Sequence, residues 1–242
     1  MNPVLTIDHV SYSYHTPSGE TPALKDVSFS VRPGSFTSIA GPSGCGKSTL
    51  LSLIAGLIAP EKGCIRFYKS DAMPATARIG YMLQHDTLLE WRTIYKNILL
   101  GLEVTHQCTE QKKRLAADMM HDYGLASFKN AHPSELSGGM RQRAALIRTL
   151  VLEPDILLLD EPFSALDYQT RLEVSDDIFR IIKEQEKTAL LVTHDISEAI
   201  AMGEQEIVLS SRPAGINNVF DLPLPVDNST PFSSRIAPDF YA

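Results

Sequence analysis

An α/β fold built on a parallel sheet is the class that this 242-residue sequence predicts, and three observations carry it. Ile156 to Leu159 (ILLL) and Ala189 to Val192 (ALLV) are short continuous apolar runs, as expected of strands covered on both faces. Between them Leu172, Ile178, Ile181 and Ile182 mark one face of an amphipathic helix. Nearer the front, Ser35 to Ala40 (SFTSIA) runs as a strand into a glycine-rich stretch, and the apolar segment Leu50 to Ala59 follows. Strands alternating with helices in this way imply a parallel sheet.

The remaining elements follow in chain order. Leu5, Ile7 and Val10 intersperse with polar residues across Val4 to Tyr14, and Val27, Phe29 and Val31 repeat the period of two, so both stretches are predicted strands. Pro22, Pro33 and Gly34 punctuate them as turns. From Leu88 to Leu152 the texture changes. Ile94, Ile98, Leu99 and Leu102 recur at helical spacing, as do Leu115, Met119 and Met120, and strand-like runs are few. Residues 88–152 are therefore expected to form a mostly helical subdomain inserted into a core made of 1–87 and 153–212. The tail, 213–242, is rich in Pro, Ser and Asn, with Pro223, Pro225 and Pro231, and is expected to be an irregular surface segment.

Composition narrows the class. With 43% hydrophobic and 21% charged residues the chain can bury a sizeable core, as one large domain or one with an inserted subdomain, and disordered, collagenous and coiled-coil classes are excluded. A membrane span needs roughly 20 nearly uninterrupted apolar residues. The longest candidate, Leu50 to Ala59, is interrupted by Ser52 and Gly56. The opening MNPVLTIDHV lacks the basic-then-apolar layout of a signal peptide, so the protein is expected to stay where it is made. The net charge of -7 disfavours holding nucleic acid or anionic lipid by bulk charge, and Lys112-Lys113-Arg114, set among Glu110, Gln111 and Asp118, is read as a solvated helix face. Cys45, Cys64 and Cys108 form no C-x-x-C pair, which fits a reducing compartment and bystander roles.

Three motifs carry chemistry. Gly41-Pro42-Ser43-Gly44-Cys45-Gly46-Lys47-Ser48 matches the phosphate-loop pattern G-x-x-x-x-G-K-[ST]. Its glycines let successive amide N–H groups converge on phosphate oxygens, and a helix starting near Lys47 adds the positive end of its dipole. Lys47 would neutralise the β- and γ-phosphates, and the Ser48 hydroxyl would ligate Mg²⁺. The strand Ile156 to Leu159 ends in Asp160 and Glu161, which delivers two carboxylates to the open end of the sheet. Acids also follow strands as caps for the next turn; with the phosphate loop upstream, the expectation is that Asp160 holds Mg²⁺ through water and Glu161 polarises the attacking water as general base. The third motif, Leu136-Ser137-Gly138-Gly139-Met140-Arg141-Gln142, precedes a helical run. Ser137 suits an ordinary N-cap. A Ser-Gly-Gly helix start is also a second anion site, and one nucleotide does not need two cradles on one face. The economical solution is a dimer in which this loop caps the γ-phosphate held by the other subunit.

At this point the sequence resembles the nucleotide-binding subunits of ABC transporters, over nearly the whole chain. GPSGCGKST, through Thr49, looks like the family's Walker A motif, LSGGMRQ like its signature and ILLLDE like its Walker B. Gln84, ending YMLQ, matches the Q-loop glutamine, which in the family touches Mg²⁺ and faces the transmembrane partner. Ser164-Ala165-Leu166-Asp167 looks like the D-loop, which assigns Asp167 to the nucleotide site. His194 matches the switch histidine, and Tyr14 is similar in placement to the aromatic that stacks on adenine, although Tyr12 falls on the same side of its strand. The stretch Leu88 to Tyr95, with the only tryptophan, Trp91, matches the region where the family receives helices of the membrane subunit; core packing is the competing reading of that residue.

The resemblance implies a phosphate-loop NTPase fold with a RecA-like parallel core, an N-terminal antiparallel β subdomain and an inserted α-helical subdomain. It implies ATP and Mg²⁺ as ligands, a second copy of the chain, transmembrane permease subunits and, indirectly, a solute-binding protein as partners, with no nucleic acid. The location implied is peripheral, at the cytoplasmic face of the plasma (inner) membrane. LLEWRTIYKNILLGLE, DEPFSALDYQTRLEV and VTHDISEAI look like importer ATPases of the nitrate/sulfonate/taurine group, which also includes transporters of pyrimidine thiamine precursors. The sequence departs from that pattern at Glu90, at Met202-Gly203-Glu204-Gln205 and at Leu146-Ile147-Arg148-Thr149, none of them a predicted phosphate or Mg²⁺ contact. Its ending, Phe240-Tyr241-Ala242, is short for the group, so a C-terminal helix is expected to be missing. An exporter ATPase is the alternative, and a soluble ABC ATPase a more distant one. A phosphate-loop kinase or GTPase leaves LSGGMRQ and His194 unexplained.

Overall fold

The computed structural model describes residues 2–17, 19–69 and 73–222. Strands β1 (Leu5–Thr16), β2 (Gly19–Val31), β4 (Lys62–Tyr68) and the two-residue β5 (Pro74–Ala75) form an antiparallel sheet in the order β2-β1-β4-β5. The period of two read in the sequence is what this sheet needs: Leu5, Ile7, Val10, Val27 and Val31 are buried between it and its neighbour, while the residues between them are more exposed. The neighbour is a six-stranded sheet with β10 (Ile216–Asp221), β9 (Gln205–Leu209), β3 (Phe36–Ala40), β8 (Thr188–Thr193), β7 (Ile156–Asp160) and β6 (Ile79–Met82) side by side in that order. From β9 to β6 every pairing is parallel. This is the α/β architecture expected from the sequence.

The continuous apolar runs have a direct physical reason. In β7, Ile156 and Leu158 join the core shared with the antiparallel sheet, and Leu157 and Leu159 join the core on the opposite face. In β8, Leu190 and Val192 point to the first core, Ala189 and Leu191 to the second. A strand with apolar packing on both sides cannot alternate with polar residues. Helix α1 (Lys47–Ile54) packs Leu50, Leu51, Leu53 and Ile54 into the first core.

The helices α2 (Ile94–Val104), α3 (Glu110–Asp122), α4 (Gly138–Leu150), α5 (Tyr168–Glu184) and α6 (Ile196–Met202) contribute to the second core or border it. Thr93, Thr109 and Ser137 cap α2, α3 and α4, each accepting a hydrogen bond from the backbone N–H three residues on. Fully buried Asn97 in α2 fastens the chain that enters it: its Oδ1 accepts from Leu89 N at 2.7 Å, and its Nδ2 donates to the carbonyls of Leu89, Arg92 and Thr93, each at 3.1 Å. Trp91, in that fastened turn, is 77% exposed, which removes the core-packing reading of it.

Two expectations need correction. The apolar run Leu50 to Ala59 is helical only to Ile54, because Gly56 adopts φ +70° and ends the helix: its N–H donates to Leu53 O at 3.1 Å and Leu57 N–H donates to Ser52 O at 3.0 Å. The tail expected to be irregular from Pro213 instead forms β10 over Ile216–Asp221, paired antiparallel with β9 from Ile216↔Leu209 to Asp221↔Gln205. The unpaired edge of β9 supplies the backbone partners that the sequence of 216–221 does not advertise. Pro223, Pro225, Pro231 and the chain ending lie outside the described residues.

Asn97→Ala is expected to cost about 2 to 3 kcal/mol by leaving a buried N–H and carbonyls of the 89–93 turn without partners. A lower midpoint in urea unfolding at unchanged slope checks this.

Candidate functional site

The strands that carry the predicted motifs are neighbours, and they end at one edge. Ala40 of β3 lies beside Thr193 of β8, and Asp160 of β7 beside Val192 of β8. The residues that leave this edge are the phosphate loop after β3, Glu161 after β7, His194 after β8 and Gln84 just beyond β6. The carboxyl ends of parallel strands are where an open α/β sheet binds its ligand.

The loop Gly41 to Gly46 turns the chain from β3 into α1. At Gly46 the backbone takes φ 129°, and a Cβ there would stand 3.0 Å from both Ala23 O and Leu24 Cδ2, so only glycine fits. Pro42, Ser43 and Gly44 are exposed on the loop's crest, while Cys45 is buried, its N–H donating to Pro42 O at 3.2 Å and its Sγ turned into the core. Lys47 is only 5% exposed; its Nζ donates to Gly41 O at 2.8 Å and Pro42 O at 3.1 Å, which holds the ammonium under the loop.

Glu161 is where the elements meet. Its Oε1 lies 3.8 Å from Lys47 Nζ, and its Oε2 lies 3.0 Å from His194 Nδ1 and accepts from Gln84 Nε2 at 3.5 Å. An ionised carboxylate only accepts, so a hydrogen bond between this pair requires the His194 proton on Nδ1. The Glu161 backbone is held at φ 45°, an uncommon region for a residue with a Cβ. It stays there because it is fixed from two sides: its N–H donates to Val192 O at 2.9 Å, and its carbonyl accepts from Ser164 Oγ at 3.0 Å and Ser164 N at 3.2 Å.

Asp160 forms a second, deeper cluster. Its Oδ1 accepts from Ser48 Oγ at 3.0 Å and its Oδ2 from Tyr81 OH at 3.2 Å. Burial pushes its carboxyl above the usual range, against the lowering effect of those two hydrogen bonds. The Tyr81 phenol is pushed up to about 12, chiefly by burial and then by the Asp160 charge. Sequence reasoning missed Tyr81. Its only sign was its place within the YMLQ strand that precedes Gln84. Ser48 and Asp160 present a hydroxyl and a carboxylate side by side. That small set of hard oxygen donors suits Mg²⁺, which keeps several waters and takes phosphate oxygens rather than an all-protein cage.

Tyr14 is tied to α1 by a 2.9 Å hydrogen bond between its hydroxyl and Thr49 Oγ1. Tyr12 meets it edge-on, with ring centroids 5.1 Å apart, and packs against the inter-sheet core. Tyr14, 40% exposed, is the one of the pair with ring surface to offer. The remaining predicted residues lie apart from the cluster. Ser137 Oγ accepts from Met140 N at 3.3 Å as the cap of α4. Gly139 lets α4 meet α5 closely, since a Cβ there would fall 2.8 Å from Val174 Cγ2, whereas Gly138 is half-buried. Asp167 caps α5, accepting from Thr170 N at 3.0 Å and Thr170 Oγ1 at 2.7 Å, bonds that hold its carboxyl below the usual range. Among the described residues no hydrogen bond links Ser137 or Asp167 to the phosphate loop. Behind the loop, a groove of about 840 Å³ runs past Gly41 and Pro42 between α6 and β9–β10, but its walls, such as Ile196, Ile200 and Val208, are too apolar to suit a triphosphate.

With this geometry established, residues 24–164, more than half of the sequence, match the model of one family, described as ABC transporter. The chain belongs to the ABC transporter family. It is 47% identical over 236 residues to an uncharacterized ABC transporter ATP-binding protein, YtlC of Bacillus subtilis (strain 168), covering 98% of this chain and 91% of that protein. It is 42% identical to the aliphatic sulfonates import ATP-binding protein SsuB 1 of Rhodococcus jostii (strain RHA1), covering 80% and 75%. Among solved structures it resembles the ATP-binding cassette MJ0796, captured as a dimer in a post-hydrolysis state with ADP and Pi. That match has a TM-score of 0.75 and 30% identity over 91% of this chain and 100% of that one.

Tyr81→Phe tests the Asp160 cluster. The variant removes a hydrogen bond that favours the ionised carboxyl, so the Asp160 pKa in the nucleotide-free protein is expected to rise further. Its sign for stability follows: a carboxyl whose folded pKa lies above the unfolded value costs stability at high pH, and the cost is relieved as pH falls through the folded pKa. A carboxyl-carbon NMR titration of wild type and variant reads the shift directly.

Proposed function

We propose that this chain is the ATP-hydrolysing subunit of an ABC importer, that two copies sandwich two ATP molecules, and that the pair drives a separate membrane permease. The observation that carries the reading is the convergence of Lys47, Gln84 and His194 on the Glu161 carboxylate beside the phosphate loop. In this reading free backbone N–H groups of the loop between Ser43 and Thr49 and the ammonium of Lys47 bind the β- and γ-phosphates, and Tyr14 stacks on the adenine. Glu161 takes up a proton as water attacks the γ-phosphorus. His194 and Gln84 orient that carboxylate, and the His194 ring is near enough to Glu161 to contact the γ-phosphate as well. Ser48, Gln84 and Asp160 would hold Mg²⁺, which neutralises charge on the phosphates when bound. The proton step requires that the Glu161 carboxylate be aimed at the attacking water, which its fixed backbone and its contacts with Gln84 and His194 favour.

Ser137 and Gly138 stand at the mouth of α4 and are not bonded to their own phosphate loop, and the dimeric state of the similar MJ0796 cassette supports a role for them across the subunit boundary, on the partner's γ-phosphate. Asp167 belongs to the same boundary. Residues 88–152 act as the signature-bearing helical subdomain, against a core of 1–87 and 153–212. Closure on ATP and reopening after hydrolysis convert chemical free energy into permease movement. The exposed Trp91 and the turn around it form the surface that receives the permease.

The import direction is supported by the sulfonate-import relative and by the resemblance to the nitrate/sulfonate/taurine group; the exporter alternative is not favoured. The solute is a small molecule of that kind, delivered to the permease by a binding protein, and it never touches this chain. Among the described residues no helix is long and apolar enough to cross a membrane. The location that goes with the importer reading is peripheral, at the cytoplasmic face of the membrane.

Glu161→Gln should retain ATP binding and lower turnover by at least about a hundredfold, the usual share of a general base, while an ATP-bound dimer accumulates. Turnover at the wild-type rate would remove Glu161 as the base. Ser137→Arg, made in the Glu161→Gln chain, should leave nucleotide affinity of the monomer intact and abolish the dimer peak in sedimentation with MgATP.

A further inference from the structure

Gln84 and Ser137 serve opposite sides of the site, and a short segment connects them. Gln84 reaches the catalytic carboxylate through its 3.5 Å bond to Glu161. Two residues later the chain is fastened to α4 instead. Asp86 Oδ2 accepts from Arg141 Nε at 3.0 Å, and Asp86 Oδ1 accepts from Leu88 N at 3.2 Å, so both carboxylate oxygens are engaged. Arg148, two turns further along α4, donates to the carbonyls of Asp86 at 2.8 Å and Thr87 at 2.9 Å, and to Thr87 Oγ1 at 2.9 Å.

Arg141 sits one helical turn past Ser137. Its backbone N–H donates to Ser137 O at 3.0 Å, and its guanidinium NH1 donates to Leu136 O at 2.7 Å. One rigid, planar group therefore holds the residue that precedes Ser137 with one arm and the Gln84 segment with another.

We propose that the Asp86–Arg141 pair is a positioning strut, setting where the Ser137 corner stands relative to Glu161 and so matching the signature of one copy to the phosphate site of the other. The inference rests on the two-copy reading above. The pair is only partly shielded, with side-chain exposures of 26% and 34%, so its worth is geometric: it removes the freedom of α4 to pivot against Gln84. Arg148 grips the same segment through the Asp86 and Thr87 carbonyls and the Thr87 hydroxyl, none of them part of the strut, so losing the strut leaves the segment attached to α4 and the fold intact.

The test uses Asp86→Ala, Arg141→Ala, Arg141→Lys and the double alanine variant in the full chain. Expected is a fall in kcat of about tenfold for each single variant and a similar weakening of the MgATP-dependent dimer in the Glu161→Gln chain, as for a site displaced by a fraction of an ångström. ATP affinity of the monomer and the thermal midpoint should stay at wild-type values. The double variant should be no worse than either single, and Arg141→Lys should not restore function, because an ammonium cannot reach in both directions. Additive losses in the double variant, rescue by lysine, losses that follow the thermal midpoint, or unchanged kcat and dimerisation in Asp86→Ala would each overturn the strut. The background separates the two ideas: if Glu161→Gln with Asp86 and Arg141 intact forms no ATP dimer, the two-copy reading fails; if it does and the strut variants dimerise equally well, only the strut fails.

Discussion

Burial of β3, β7 and β8 on both faces is the constraint on which everything else in this protein depends. β7 and β8 place alternate side chains in two separate apolar cores, and β3 puts Phe36 in one and Ile39 in the other, so sliding any one by a residue would move apolar side chains out of their core and disrupt the packing. The register is therefore rigid, and Ala40, Asp160, Val192 and Thr193 stay level at the carboxyl edge. The phosphate loop, Glu161 and His194 follow directly from those residues, and they inherit their spacing from the sheet. The geometry of the candidate site is in this sense a by-product of core packing.

The charges at that edge are arranged in two tiers. Lys47 is nearly buried but compensated by two loop carbonyls, with Glu161 alongside. Asp160 lies deeper, where burial disfavours its charge and Ser48 and Tyr81 partly offset that by donating to it. On physical grounds such an arrangement would favour a polyanion together with a cation over either charge alone: the ammonium and amides lack strong negative partners, and the Asp160 carboxylate lacks a positive one. The strained backbone at Glu161 belongs to the same design, because a carboxylate aimed by hydrogen bonds on both of its peptide groups has little freedom to turn away.

The helical part of the molecule is joined to this edge by polar bonds rather than by continuous core alone. Asn97 organises the turn that presents Trp91, and Arg141 and Arg148 bind the segment that follows Gln84. Hydrogen bonds of this kind specify an orientation more sharply than apolar contact does, and so fix how these helices meet the sheet edge.

Local pattern in the sequence was enough to reveal the parallel core, the helical middle, the glycine-rich loop and the two carboxylates after β7, whereas His194 after β8 was legible only through its match to the family's switch histidine. Each is written within a few consecutive residues: a glycine spacing, an apolar run, a polar residue where a run stops. Tertiary structure alone decided what depends on partners far along the chain. Tyr81 reaches Asp160 only because β6 and β7 lie side by side, with Tyr81 paired to Leu158, one step short of the acid on the same face. Gly139 is needed where α4 crosses α5, Asp86 finds Arg141 across more than fifty residues, and 216–221 becomes a strand because β9 has an open edge. Periodicity records which face of an element is buried; which residue of another element waits opposite exists only after the sheet has set its register and the helices have packed upon it.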